Sequence, residues 1–214
     1  MDEALRRAAS VIAGRDGEEG LEVLVLERGA ASRFLPGYVA FPGGAVDEPD
    51  EGLAKAWFGS SDESARAAAV RELVEEAGLA LTAGGVVDAG DPDSLDPVHA
   101  SPPRADQLPE IAHWIAPEVV PVRFDARYFA VAAPGNLEPA PDGGETASAW
   151  WTAPRRLMAE WERGDRKLYW PTYFTVLQLL RCPAVEDLLA LRFDSREPVP
   201  DETASLPHSV FEQV

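Results

Sequence analysis

The feature that most constrains the fold is a predicted strand, residues 21–27, that is apolar on both faces. Successive side chains of a strand point to opposite faces. Both faces are mostly apolar: one carries Leu21, Val23, Val25 and Glu27, and the other carries Glu22, Leu24 and Leu26. A strand that buries both faces needs another layer of structure on each side. The sequence therefore predicts a sheet covered on both sides.

The order of the other predicted elements indicates the fold class. An earlier strand, residues 8–13, is joined to residues 21–27 by a turn at residues 15–17. The remaining predictions are a helix at 65–77, strands at 110–116, 127–133 and 147–151, and helices at 154–163, 172–180 and 184–191. One early helix among strands, with helices late, is typical of a single α/β or α+β domain. We expect it to span residues 1–193, with residues 194–214 as a flexible tail or a packing arm.

The charge of the chain argues against a nucleic-acid partner. The chain has 37 acidic and 19 basic residues, a formal net charge of -18. Such a surface repels the phosphate backbone, and no basic patch is visible. The excess acid serves solubility, and bound cations would still let it accept a small anionic substrate.

Cysteine use and hydropathy indicate the compartment. Cys182 is the only cysteine, so no intrachain disulfide forms, and its apolar neighbours predict a buried thiol. Residues 1–10 lack the apolar run of a signal peptide, and no stretch approaches the ~20 apolar residues of a membrane span. We therefore expect a cytoplasmic protein without a membrane partner.

The predicted helix at 65–77 carries three glutamates on one face. Taking Glu72 as origin, at about 100° per residue, Glu76 lies at about 40° and Glu75 at about -60°. The apolar residues Val70, Leu73, Val74 and Ala77 lie on the opposite face. Clustered carboxylates of this kind are either a solvated acidic face or a site for a hard cation such as Mg²⁺ or Mn²⁺.

The segment around these glutamates resembles the Nudix box. Residues 71–79, Arg-Glu-Leu-Val-Glu-Glu-Ala-Gly-Leu, match its Arg-Glu-U-x-Glu-Glu-x-Gly-U end (U, a bulky apolar residue), and Phe41-Pro42-Gly43-Gly44 lies upstream. The resemblance implies a Nudix-like α/β/α sandwich with a mixed sheet and extra C-terminal helices. It also implies that Glu72, Glu75 and Glu76 hold Mg²⁺ or Mn²⁺, with Arg71 orienting them. Gly43 and Gly44 would let the backbone approach substrate and metal, with a carbonyl ligand from Gly44.

The box departs from the family pattern in one respect. Eighteen residues separate Gly44 from Glu63, where the family has five. We therefore expect an insertion at about residues 46–60, with a short helix at 53–58. Glu63 then becomes either the first glutamate of the box or a favourable charge at a helix N-terminus.

A second resemblance concerns the substrate. The spacing of Arg28, Arg33, Gly37 and the Phe-Pro-Gly-Gly motif is similar to the motif upstream of the box in coenzyme A diphosphatases. Residues 114–117 and 123–129 look like the coenzyme A-cleaving branch with a long insertion in its box. Arg28, Arg33 and Arg127 are therefore candidate substrate-binding residues, since guanidinium binds phosphate well. Alternatively, they are surface arginines.

The resemblance implies a metal-dependent hydrolase that cleaves coenzyme A or acyl-coenzyme A to 3′,5′-ADP and (acyl-)phosphopantetheine. A Nudix glutamate or Glu145 would act as the base. The alternatives are a pyrophosphatase for ADP-ribose, NADH or nucleotide sugars, and a nucleotide-sensing module without catalysis. The sequence leaves open whether the protein forms a homodimer. The late aromatic residues either stack on the substrate or form core; they are Trp161, Tyr169, Trp170 and Tyr173.

Overall fold

The computed structural model describes residues 5–30, 32, 35–116, 123–141 and 145–193. The strands are β1 (Arg6–Gly17), β2 (Gly20–Arg28), β3 (Tyr38–Ala40), β4 (Gly43–Ala45), β5 (Leu79–Thr82), β6 (Gly85–Asp88), β7 (Glu110–Ile115), β8 (Phe124–Ala132), β9 (Thr146–Thr152) and β10 (Lys167–Leu168). The α-helices are α1 (Glu48–Phe58), α2 (Ser64–Ala77), α3 (Asp96–Ala100), α4 (Pro154–Glu162), α5 (Trp170–Leu179) and α6 (Val185–Ala190). The predicted tail, residues 194–214, lies outside the described residues.

Eight strands form one mixed sheet around β1. Along the sheet the order is β10-β3-β2-β1-β8-β7, while β4 also pairs with β1 and β9 with β2. β1 is parallel to β8 and antiparallel to β2 and β4. Strands β5 and β6 form a separate antiparallel hairpin.

The sheet buries a core on each face, as the apolar pattern of residues 21–27 predicts. On one face, Leu24 packs with helices α1 and α2; on the other, Val23 and Val25 pack with helices α4, α5 and α6. The predicted mixed α/β sandwich is therefore confirmed. Trp170 is buried in the second core, and Cys182 is a buried free thiol as predicted.

Several predicted boundaries were wrong. β1 continues to Gly17, so the turn lies at residues 18–19 rather than 15–17, and Arg15 pairs across the hairpin with Glu22. Helix α1 begins at Glu48, five residues before the predicted start. Within the described ranges, no helix is long and apolar enough to cross a membrane.

Candidate active site

Helix α2 presents Glu72 and Glu76 to strand β4. Its apolar positions Val70, Leu73 and Val74 are at most 1% exposed and fix the helix on the sheet. The helix ends at Gly78, whose backbone φ of 66° suits glycine and whose N–H donates to the carbonyl of Val74. The predicted apolar face is therefore confirmed, and the opposite face meets the loop that contains β4.

The two glycines of β4 lie directly against the glutamates. The backbone N–H of Gly43 donates to Glu76 Oε2 at 2.8 Å. A Cβ atom on Gly44 would lie 2.2 Å from Glu72 Oε1. Both glycines are held in place because β4 pairs with β1, with Gly44 opposite Ala9. Any side chain at residue 44 would displace the carboxylate of Glu72.

Arg71 connects three carboxylates. Its Nη1 donates to Glu72 Oε1 and to Glu75 Oε2, each at 2.8 Å. Its Nε and Nη2 donate to Asp50 at 2.9 Å and 3.1 Å, and Nη2 also donates to the carbonyl of Ala45. Burial lowers the pKa of Arg71, but the hydrogen bond to Asp50 and the surrounding carboxylates raise it on balance. The guanidinium is therefore permanently charged and fixes Glu72 and Glu75.

Burial disfavours the ionised form of Glu76. Burial and the charges of Glu72 and Glu145 raise the pKa of Glu76, while the hydrogen bond from Gly43 and the charge of Arg28 lower it. The net pKa is about 8. Burial likewise raises the pKa of Glu72, against the opposing effect of Arg71. A cation beside these carboxylates would offset their desolvation and mutual repulsion.

A cavity of about 310 Å³ lies on the other side of the two glycines. Arg6 and Arg28 line it, and its aromatic lining residues are Tyr38, Phe41, Trp114, Phe124, Tyr128, Tyr169 and Trp170. The buried indole N–H of Trp114 has no hydrogen-bond partner among the described residues. Gly43 and Gly44 line the cavity, and the same two glycines lie against Glu76 and Glu72. Neither glutamate is among the described residues that line the cavity itself.

The sequence pattern of the NUDIX domain family matches residues 4–170. The chain is a NUDIX domain protein. It is 32% identical over 197 residues to a Caenorhabditis elegans protein that bears the name nudix hydrolase 7, covering 85% of this chain. The chain spans 62% of the length of that curated relative.

Solved structures agree with this assignment. The crystal structure of a NUDIX hydrolase from Alicyclobacillus acidocaldarius is similar at 30% identity with a TM-score of 0.77, covering 92% of this chain and 100% of the other. The NUDIX domain of Shewanella oneidensis NrtR, crystallised with ADP ribose, shares the fold at 14% identity and a TM-score of 0.53, covering 86% and 89% of the two chains. The predicted Nudix assignment is confirmed.

The acidic side of this NUDIX domain fits a divalent cation, the kind of cofactor that the family uses. Glu72 and Glu76 supply the hard oxygen ligands that such ions prefer, and burial raises the pKa of both carboxylates. In the part of the chain that the structure describes, no three His, Cys, Asp or Glu residues are grouped to hold one ion. Of the predicted ligands, Glu72 and Glu76 lie together against Gly43 and Gly44, whereas Glu75 is 45% exposed and bound by Arg71.

The other predicted site residues of the NUDIX domain fall into three groups. Glu145 lies close enough to raise the pKa of Glu76, and Arg28 lies close enough to lower it. Arg33 lies outside the described residues. Arg127 does not line the cavity, because its side chain points to the opposite face of the strand from Ala126 and Tyr128, which do. Its Nη1 instead donates to Glu110 at 2.9 Å.

Two residues that the structure places at the site of this NUDIX domain were not identified from the sequence. Arg6 lines the cavity from the start of β1, and nothing around it in the sequence indicates a phosphate site. Asp50 is completely buried and binds Arg71 from helix α1. The only local signal at Asp50 is a capping box with Asp47, which predicts a helix start rather than a contact with the box.

The raised pKa of Glu76 predicts how the stability of the metal-free NUDIX domain depends on pH. The folded state keeps this proton up to about pH 8, whereas the unfolded state releases it near its ordinary value of 4.5. The contribution of Glu76 to stability is therefore complete below pH 4.5 and lost as the pH rises to about 8. Urea unfolding in the presence of a chelator, from about pH 5 to about pH 9, measures it. Glu76→Gln should flatten this slope, and an unchanged slope would contradict the assignment.

Proposed function

We propose that the protein is a metal-dependent hydrolase that cleaves the diphosphate bond of a nucleoside diphosphate derivative, with coenzyme A or acyl-coenzyme A as its substrate. The observation that carries the proposal is the juxtaposition of Glu72 and Glu76 with a cavity on the far side of Gly43 and Gly44. A substrate bound at these glycines would contact Glu72 and Glu76 at one end and the cavity at the other. The products would be 3′,5′-ADP and (acyl-)phosphopantetheine.

The cavity supports a substrate with an aromatic or amide-rich group joined to phosphates. Its aromatic walls suit stacking on an adenine or contact with a pantetheine arm. The N–H of Trp114, which has no hydrogen-bond partner among the described residues, would find an acceptor in either group. Arg6 and Arg28 add positive charge at the lining, and Arg28 also acts electrostatically on Glu76. Arg28 is therefore the arginine that we place on the substrate phosphates.

The proposed reaction adds water across the phosphorus–oxygen–phosphorus bridge. The water oxygen bonds to one phosphorus, the bridging oxygen leaves with the other phosphate, and the proton of the water passes to a carboxylate. Mg²⁺ or Mn²⁺, when bound, supplies charge neutralisation and a more acidic water. Glu72 and Glu76 would hold the ion, Arg71 orients Glu72 and Glu75, and Glu145, exposed beside Glu76, would receive the proton.

A product screen by mass spectrometry tests the substrate class. The panel contains coenzyme A, acyl-coenzyme A, dephospho-coenzyme A, ADP-ribose, NADH and a nucleotide sugar, each with Mg²⁺ or Mn²⁺. We expect 3′,5′-ADP from coenzyme A. Preference for ADP-ribose, which the Shewanella oneidensis NUDIX domain was crystallised with, or for NADH would assign the alternative pyrophosphatase activity. Turnover of no member would favour a nucleotide-sensing module.

Replacing Arg28 by Ala should lower kcat/KM for coenzyme A by about tenfold to a hundredfold, because charged hydrogen bonds contribute about 1.5–3 kcal/mol. Steady-state kinetics on coenzyme A and dephospho-coenzyme A measure the loss. The matched control is Arg163→Ala, which removes a largely exposed arginine paired with Asp165. Equal kinetics for the two variants would remove Arg28 from the proposed phosphate site.

A further inference from the structure

Helix α1, in the predicted insertion of residues 46–60, delivers a buried carboxylate to the candidate active site. Asp50 is 0% exposed. Its Oδ1 accepts from Arg71 Nε at 2.9 Å, and its Oδ2 accepts from Arg71 Nη2 at 3.1 Å. The backbone N–H of Asp47 also donates to Oδ2, at 2.8 Å. This paired arrangement fixes the plane of the guanidinium as well as its position.

The plane of the guanidinium determines where its remaining donors point. With Nε and Nη2 held by Asp50, Nη1 donates to Glu72 and Glu75, and Nη2 also contacts the Ala45 carbonyl on β4. Arg71 thus joins helix α1, helix α2 and strand β4 at one point. A chain of direct contacts runs from Asp50 through Arg71 to Glu72.

The charge of Asp50 also changes what Glu72 offers a cation. The positive charge of Arg71 repels a cation at Glu72, and the negative charge of Asp50 offsets part of that repulsion. Glu63, eight residues before Arg71 in the chain, does not take this position, because its carboxylate pairs with Arg66. Among the described residues, helix α1 therefore supplies the carboxylate that binds Arg71 along its Nε edge.

A purely stabilising role explains these contacts poorly. Buried ion pairs are often no more stabilising than apolar residues of the same size, because both charges lose their hydration. The arrangement instead has the form of a support that holds a ligand in one orientation. Residues that orient metal ligands in this way commonly change metal affinity or activity by about 10–100-fold when replaced.

We propose that Asp50 is a positioning residue that holds Arg71 so that Glu72 is presented to a divalent cation. Helix α1 is then part of the active site rather than a surface addition. This inference rests on the proposed function only in taking Glu72 as a metal ligand. It requires neither coenzyme A nor any other particular substrate.

The test measures Mn²⁺ binding directly, by the electron paramagnetic resonance signal of free Mn²⁺, in the full chain without substrate. Asp50→Asn keeps the size of the side chain and removes its charge. We expect Mn²⁺ to bind about tenfold or more weakly to this variant, and kcat to fall while KM for the substrate stays within about twofold. The control is Glu51→Gln, an exposed residue next in the same helix, with wild-type behaviour expected.

A double variant shows whether Asp50 acts through Arg71. If it does, Asp50→Asn combined with Arg71→Met should bind Mn²⁺ no more weakly than Arg71→Met alone. If Asp50→Asn does not fold, Asp50→Leu with Arg71→Met replaces both charges by apolar groups and is expected to fold. Its Mn²⁺ affinity should then be as weak as that of Arg71→Met, and wild-type affinity would overturn the inference.

The outcomes separate this inference from the proposed function. Wild-type Mn²⁺ affinity in a folded Asp50→Asn variant, with turnover intact in the unmodified chain, overturns the role of Asp50 alone. Asp50-dependent Mn²⁺ binding without turnover of any diphosphate supports the role of Asp50 and removes the proposed activity. A chain that binds no Mn²⁺ overturns both.

Discussion

Replacing Glu76 by Gln is expected to lower kcat by about 10³-fold or more, with the fold retained. Glu76 is 8% exposed and its carboxylate accepts from Gly43, and in the proposed reaction its charge holds the cation beside Glu72. Loss of one such ligand removes several kcal/mol of charge stabilisation in the transition state, and about 4 kcal/mol corresponds to about 10³-fold in rate. Glutamine keeps an acceptor for the Gly43 N–H, so circular dichroism should remain close to wild type. The unfolding midpoint should match wild type below pH 4.5, where Glu76 is protonated in both the folded and the unfolded state.

Two variants make the expected loss at Glu76 specific. Glu75→Gln should have a smaller effect, about tenfold, because the Glu75 side chain is 45% exposed and is bound to Arg71 rather than to β4. Glu186→Gln, on an exposed position of helix α6 in the opposite layer, should have none. Mn²⁺ binding alongside kinetics completes the measurement. If Glu76→Gln retained more than about a tenth of wild-type activity, Glu76 would not be a metal ligand.

Replacing Gly44 by Ala is expected to lower kcat by about a hundredfold with little loss of stability. The added Cβ would lie 2.2 Å from Glu72 Oε1 and 2.6 Å from its carboxyl carbon, so the end of the Glu72 side chain must move. Movement of a flexible carboxylate costs little folding energy, but a displacement of about 1 Å at a reacting centre lowers the rate by about 10²-fold. Steady-state kinetics together with thermal unfolding measures both quantities.

The chain offers a matched control for Gly44→Ala. Gly52, in helix α1, has no atom within 4 Å of the position where a Cβ would stand. Gly52→Ala should therefore leave kcat unchanged and raise stability by about 0.5–1 kcal/mol, since alanine favours helix more than glycine does. Wild-type kcat in Gly44→Ala would mean that the position of Glu72 does not govern turnover.

The sequence predicted the parts of the site that depend on local periodicity. The spacing of Glu72 and Glu76 against Leu73 and Val74 fixes which side of α2 is buried, whatever the rest of the fold does. The exception is that Glu76 is itself buried. Its cover comes from β4, more than thirty residues earlier in the chain, and the helix pattern carries no information about that contact.

The remaining parts of the site depend on contacts between distant segments. Arg28 and Arg127 both lie in strands and share the same chemistry, yet only Arg28 lines the cavity. The difference arises from which face of each strand meets the C-terminal helices, and the residues around Arg127 do not determine it. Asp50 is a similar case, because its sequence context predicts only a helix cap.

Boundary errors have simple physical origins. The predicted helix at 53–58 was taken from its apolar positions, but α1 begins five residues earlier with Asp47 as cap and Pro49 in the first turn. The turn at residues 15–17 was inferred from an Arg-Asp-Gly sequence that favours turns. Pairing of Arg15 with Glu22 across the hairpin instead extends β1 to Gly17.

The parallel pairing of β1 with β8 has a consequence for the order of events during synthesis. The two strands pair at nine positions, from Arg6 with Phe124 to Gly14 with Ala132, and each pair is more than a hundred residues apart in the chain. Contacts this distant form late, because a long loop must close first. Since β4 and α2 both rest on β1, the nascent chain on the ribosome completes the sheet beneath the glutamates only after β8 has emerged.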